Sequence, residues 1–327
     1  RIPKGISLAG NIKTNGNEVF FADLLLKEGK GQVKAKARFN MPAMAYNANV
    51  TANNLQIQHF MPILGIKDFS GNLSVNGKGF NPMSKGVAID VSVKIQKLLY
   101  DKYRISGLSA DATLSNGMLH AAVNSKSNLF SGLVNVDGFI GGNKINATLT
   151  ADVDSLDLYK FGLVGKPLQA SLCCHFDVAT DMKKMYMLRG GTSDVTLIDS
   201  SKIYRPMNVT VDVLTARDTT RAFVDCGDFY LDLSAHGGYE HILSLLQTFV
   251  GKVETDIKNR HIDYVALRQS LPEARIRLVS GSDNIFCRFL KYSGYTVKSM
   301  SMNLSTSSLH GMNGNIEMDE LTTSGIR

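Results

Sequence analysis

Tryptophan is absent, and the 327 residues hold only 7 prolines. Few breakers leave regular elements uninterrupted from within. No apolar run reaches the roughly 18 residues that a transmembrane helix needs, and no secretory leader is visible at Arg1. Lys and Arg never run beyond two in a row, and aromatics do not interleave with them. This excludes a basic arm or a single-strand platform for nucleic acid, although the formal net charge is +7. The positive balance is read as solvated strand faces. The 4 cysteines, Cys173, Cys174, Cys226 and Cys287, contain no C-x-x-C pair, which argues against a zinc site. Cys173 and Cys174 adjoin in an extended stretch, so their side chains are expected on opposite faces. All four are read as small buried hydrophobes, with one disulfide between distant cysteines left open.

Catalytic constellations are also missing. There is no nucleophile elbow, no H-E-x-x-H and no phosphate-binding loop. Gly77-Lys78-Gly79 lacks the spacing of a dinucleotide fingerprint. His236 and His241 lie near Asp225 and Asp228 in sequence, an arrangement that could serve acid–base chemistry. The plainer reading is surface or capping residues around a helix start. Asn72-Leu73-Ser74 and Asn146-Ala147-Thr148 match a glycosylation triplet, as chance allows in an Asn-rich chain. No catalytic residue, metal ligand or cofactor is assigned.

What is present is alternation. Val33, Ala35, Ala37 and Phe39 alternate with Gln32, Lys34, Lys36 and Arg38. Tyr46, Ala48 and Val50 follow, then Val87, Ile89, Val91, Val93 and Ile95, then Leu108, Ala110, Ala112 and Leu114. Ile145, Ala147 and Leu149 continue it, as do Met207, Val209, Val211 and Val213, Leu231 and Leu233, and Met300, Met302 and Leu304. A period of two marks a half-buried strand with one wet face. Asn15-Gly16, Asn76-Gly77, Asn116-Gly117, Gly141-Gly142 and Asn313-Gly314 are expected turns. A weak repeat relates Thr51-Ala52 through Leu55, Ile57 and Phe60 to Thr150-Ala151 through Leu156, Leu158 and Phe161, which suggests duplication of one open architecture.

One region departs from this pattern. Ile242, Leu245, Leu246, Phe249 and Val253 follow helical spacing and predict a helix over 239–257. A second helix is expected over 261–270, ending near Pro272. A third carries Ile285, Phe286, Phe289 and Leu290, with Ser282 or Asp283 as its cap. The first stripe is expected to pack on the strands as a cap, or to dock on a membrane or partner. The expected division is a strand segment over 1–235, a helical insertion with a short strand over 236–292, and further strands over 293–327.

Many strands therefore bury one face, and no second sheet is evident to cover it. A long antiparallel sheet curled on itself would enclose those faces as an apolar gutter. Acyl chains suit such a surface, because each buried CH₂ contributes roughly 0.8 kcal/mol without a directional partner. The alternating positions are expected to line it collectively, and the alanines among them leave room that a packed core would fill. A closed solenoid or sandwich core remains the alternative. An adhesin or carbohydrate-active solenoid would show regular short coils or clustered carboxylates, and neither is visible.

The segments Phe69–Gly79 and Tyr103–Gly117 resemble recurrent units of the AsmA/TamB family. Leu271–Leu278, the Asp283–Leu290 stretch and Met300–Leu304 leading to Gly314-Asn315 resemble TamB proteins of the Bacteroidetes type. The resemblance implies a mainly β fold: an elongated curled antiparallel sheet, or β-taco, with a hydrophobic groove and two or three short helices around 239–292. It further implies a Gram-negative periplasmic protein held to the inner membrane by an N-terminal anchor, carrying phospholipid toward the outer membrane. A TamA-type outer-membrane barrel is the implied partner, and scaffolding of barrel-protein assembly is the implied alternative role. The chain itself is expected to be an internal segment without that anchor. At roughly 20–25 strands spaced by about 4.8 Å, such a segment would reach about 100 Å.

Overall fold

The computed structural model describes residues 5–60, 63, 65–100, 103–199, 202–292, 294–320 and 322–323. Antiparallel strand makes up 62% of the chain, in curved sheet with a few short helices, so the expected mainly-β class holds. The chain divides into two compact units, Arg1–Phe161 and Gly162–Arg327. The expected boundary at 235/236 instead falls inside the second unit, where its first helix begins.

The first unit is a meander of β1 (Ile6–Thr14), β2 (Glu18–Glu28), β3 (Gly31–Asn40), β4 (Ala45–Gln56), β5 (Ile66–Lys78), β6 (Ala88–Tyr100), β7 (Tyr103–Ile105), β8 (Leu108–Ser115), β9 (Met118–Lys126), β10 (Phe130–Gly141) and β11 (Lys144–Asp157). Each strand pairs antiparallel with the next, except that β6 meets both the short β7 and β8. Tight turns allow this. Asn15 Oδ1 accepts from the N–H groups of Asn17 and Glu18. Asn116 and Gly117 both take positive φ (51° and 80°), as do Gly142 and Asn143 at 58° each, the geometry of two-residue hairpin turns.

Two expected turns are corrected. Asn76-Gly77 lies within β5, and Asn313-Gly314 lies within a strand of the second unit. A Cβ on Gly77 would sit 2.6 Å from Tyr46 Cζ. Glycine there makes room for the Tyr46 ring, which stacks on Phe80 at 5.0 Å. A Cβ on Gly314 would meet the Asn303 carbonyl at 2.0 Å. Gly77 thus admits a side chain, and Gly314 a close backbone approach within the sheet.

The repeat noted in sequence coincides with a shared irregularity. The β4–β5 register shifts between Ala52 and Leu55, with Asn54 at φ 50°. The β10–β11 register shifts beside Asp154, where Gly132 faces Val153 and Ser131 faces Ser155. Each copy thus carries a bulge facing a glycine, Gly71 or Gly132. An extra residue of this kind bends a strand and increases its twist.

The second unit contains β12 (Gln169–Thr180), β13 (Tyr186–Asp199), β14 (Lys202–Tyr204), β15 (Thr210–Thr215), β16 (Thr219–Cys226), β17 (Phe229–His236), α1 (Tyr239–Asn259), α2 (Tyr264–Gln269), β18 (Ala274–Ser280), α3 (Ile285–Tyr292), β19 (Tyr295–Thr296), β20 (Ser299–Ser307), β21 (Gly311–Asp319) and β22 (Thr322–Thr323). Its sheet runs β12, β13, β15, β16, β17, β18, β20, β21, with β14 beside β13 and a separate β19–β22 pair. The three expected helices are present. They are excursions from a continuous sheet, because β18 pairs with both β17 and β20. Residues 293, 321 and 324–327 of the last expected segment lie outside the described residues.

Candidate functional site: an apolar sheet face in each unit

Directly opposed residues in antiparallel strands share a face, so the registers trace that face from strand to strand. In the first unit one row runs Ala35, Val50, Leu73, Val93, Ala110, Val123, Val134 and Ala151. The neighbouring row runs Ala37, Ala48, Val75, Val91, Ala112, Ala121, Val136 and Leu149. Phe39, Tyr46, Ile89, Leu114 and Ala147 lie in a third row, with Gly77 and Gly138 between them. Val33, Ile95 and Leu108 belong to a fourth, which holds Ala52 and Val153. Ile145 pairs with Ile140 on the same face. Val87 directly precedes β6 and is buried.

The reverse face is polar. Lys34, Thr51, Asn72, Lys94, Ser109 and Asn124 form one of its rows.

Few of the apolar residues are fully buried. Ala52 and Leu114 are 5% and 7% exposed, whereas Leu73 is 36% exposed, and the rest of the two central rows is half-buried. The described residues of this unit include the short helical turn Ile57–His59. The face is rich in alanine and glycine.

A polar cluster sits at one margin of this unit. Glu28 is buried, its Oε2 accepts from Gln56 N–H at 3.3 Å, and its other oxygen meets His59 Nδ1. Gln56 also donates to Asp68, which pairs with Lys97 at 3.3 Å. Burying Glu28 is tolerable because its oxygens find these partners.

The second unit repeats the pattern. One row runs Val178, Leu188, Val213, Ala222, Leu233, Ile276 and Leu304. The next runs Phe176, Gly190, Val211, Val224, Leu231, Leu278, Met302 and Ile316. Met300 faces Ser280 and Met318 in a further row.

Two expected strand residues are displaced. Met207 and Val209 precede β15 in non-strand backbone. Val209 is buried, whereas Met207 is 66% exposed. Met207 is therefore corrected as a strand residue. It packs beside Gly227, and its carbonyl accepts from the Cys226 thiol at 3.4 Å.

Helices sit at both margins of the second face. Thr215 and Thr220 hydroxyls meet at 2.9 Å, Thr220 donates to the Gly237 carbonyl, and Tyr239 N–H donates to Thr215 Oγ1. This hydroxyl ladder anchors the start of α1, and Tyr239 meets Tyr186 edge-on at 5.6 Å. Ile242, Leu245, Phe249 and Val253 are half-buried, but no α1 residue is fully buried, and Leu246 stands exposed with Leu243 and Val250. Leu246 thus departs from the expected packed stripe, because a 3.6-residue period turns it toward the Leu243 and Val250 side.

At the other margin α3 begins on Asn284, which is 1% exposed. Its Oδ1 accepts from Cys287 N–H, and its amide donates to Asp228, Ser280 and the Gly281 carbonyl. The cap is Asn284 and not Ser282 or Asp283. Phe286 packs on Phe229 at 4.5 Å.

Cys226 is buried at this margin, and loss of solvation pushes its thiol pKa up. No disulfide joins the four cysteines. The suspected acid–base group is dispersed. Asp225 faces Tyr230 and His236 faces Thr219, at opposite ends of β16–β17 and roughly 20 Å apart by strand rise.

Sequence reasoning missed β9, β10 and much of β12, β13, β16 and β18. The signal was present in Leu119, Ala121 and Val123, but Ala122 blurs the alternation. No family model, curated protein or solved structure matches the chain.

Proposed function

We propose that the apolar faces hold lipid acyl chains, and that the chain is a conducting segment of a protein that carries phospholipid between two membranes. One observation supports this above others: in-register apolar rows cross eight strands of each unit, and no residue of the two central rows is fully buried. A soluble protein rarely leaves contiguous apolar surface of this kind unless something occupies it. Acyl chains meet the requirement with no convergent polar groups, each CH₂ contributing roughly 0.8 kcal/mol. Alanine and glycine along the rows give space for a chain to lie across the strands.

The AsmA/TamB resemblance adds the cellular setting: a Gram-negative periplasm, an inner-membrane anchor elsewhere in the protein, and a TamA-type barrel as partner. Native mass spectrometry of the chain purified with membrane extract tests the reading. Phospholipid adducts are expected on the wild type and strongly reduced for Val91→Asp and Val211→Asp. Folded protein free of lipid, together with unaltered lipid crosslinking in both variants, would overturn it.

A second reading is a scaffold for client strands. Among the described residues β1 pairs with β2 alone and β21 with β20 alone, and β21 is exposed along nearly its whole length. Such edges can accept an added strand. Site-specific crosslinks from β21 to unfolded barrel proteins, with none to lipid, would favour it.

A further inference from the structure

The second unit has another concavity, on the polar side of the strands. It encloses about 440 Å³ and is lined by Arg221, Ser234, Arg275, Ser305 and Asn313, with His236 and His310 nearby. The registers explain the grouping. Arg221 faces Ser234, Ser234 faces Arg275, Arg275 faces Ser305, and Ser305 faces Asn313. This single row crosses five strands, from β16 to β21. Its parity is opposite to the apolar row of Ala222, Leu233, Ile276 and Leu304.

The two arginines stand two strand spacings apart, roughly 9–10 Å at the backbone. Their side chains are long enough to converge above Ser234. Among the described residues neither guanidinium forms an ion pair, a hydrogen bond or a ring contact. Asp218 and Glu273 line the same cavity, yet neither neutralises an arginine. Each guanidinium therefore keeps five uncommitted N–H donors in a planar fork. One fork saturates a carboxylate edge to edge. Two forks with the Ser234 hydroxyl between them match the larger oxygen set of a phosphate.

We propose that this cavity is a binding site for a phosphoryl group, held by Arg221 and Arg275 with Ser234 as the hydroxyl donor between them. At the far end of the row the Ser305 hydroxyl donates to the Asn313 carbonyl, and the Asn313 amide donates to the His310 carbonyl. Asp218 and Glu273 offset part of the attraction, so the affinity is modest and depends on fork geometry more than on net charge. The phosphoryl group belongs either to a soluble phosphate ester or to a lipid headgroup. The site lies on the polar face, so it stands or falls independently of lipid on the apolar one.

The test uses the full chain at constant ionic strength, since exposed charges are screened by salt. Inorganic phosphate and glycerol phosphate are titrated by calorimetry, and phosphatidic acid vesicles by co-sedimentation. Saturable binding of at least one probe is expected. Arg221→Gln or Arg275→Gln should weaken it by about tenfold or more. Arg275→Lys should also weaken it, because the charge stays and the fork is lost. Ser234→Asp, a carboxylate placed between the two guanidiniums, provides an independent second variant and should abolish binding. Binding of free phosphate without vesicles assigns a soluble ester; arginine-dependent vesicle binding assigns a headgroup. No binding of any probe, or wild-type binding by the Arg221→Gln/Arg275→Gln double variant, would overturn the proposal.

Discussion

At the residue scale, buried or clustered polar groups carry the sharpest expectations. Asn284 closes the first turn of α3 and donates to three acceptors. Asn284→Ala removes the cap and strands those acceptors, so a loss of about 2–3 kcal/mol is expected in chemical denaturation. Asp181 stands at the β12–β13 turn, where N–H groups of Met185, Lys183 and Lys184 hold its carboxyl below the usual range. A lowered folded pKa means stability that is full above about pH 4 and lost as pH falls through the folded value. Asp181→Asn should thus be less stable than wild type at neutral pH, and the gap should close on acidification. A pH series of thermal melts checks this, and a gap that widens in acid would contradict it. The Asp181 turn was not foreseen, because its donors become a cluster only once the chain bends around them.

At the element scale, the strands and helices differ in how firmly they are held. Gly190 has φ 148°, and a Cβ there would lie 2.0 Å from the His175 carbonyl. Gly190→Ala should cost about 2–4 kcal/mol or prevent folding, since backbone atoms must move to admit the methyl group. In contrast, α1 buries no residue completely and hangs from its first turn by Thr215. Hydrogen exchange should therefore be faster across α1 than across β15–β17, which have paired strands on both sides. Equal protection would show that α1 is packed more tightly than its exposure indicates. Helical spacing located α1 within two residues of its end, because the 3.6 period is local. That period did not separate Leu245 from Leu246, since which side of a helix packs depends on what lies beside it.

At the scale of each whole unit, the decisive matter is whether the apolar face is a core or an open lining. Ala48 and Ala112 share a row of the first unit. In a closed core, Ala48→Phe or Ala112→Phe would overpack and cost about 1–3 kcal/mol. On an open face the added ring meets no opposing layer, so stability should change by less than about 1 kcal/mol while lipid adducts decline. Denaturant titration together with native mass spectrometry separates the two cases.

Alternation in the sequence by itself determined the mainly-β class, the strands carrying Val33–Phe39 or Val87–Ile95, and which side of each is apolar, because a strand's side-chain period is two whatever surrounds it. The same local rule could not say that Gly77 and Gly314 lie inside strands, that Met207 lies outside one, or that the chain divides at Phe161. Those outcomes depend on which backbone approaches which, and only pairing sets that. Tertiary structure alone aligned the one-sided strands into continuous rows, and it alone placed Arg221, Ser234 and Arg275 in one line on the reverse face. Their numbers are far apart, and antiparallel register is the physical link that joins them.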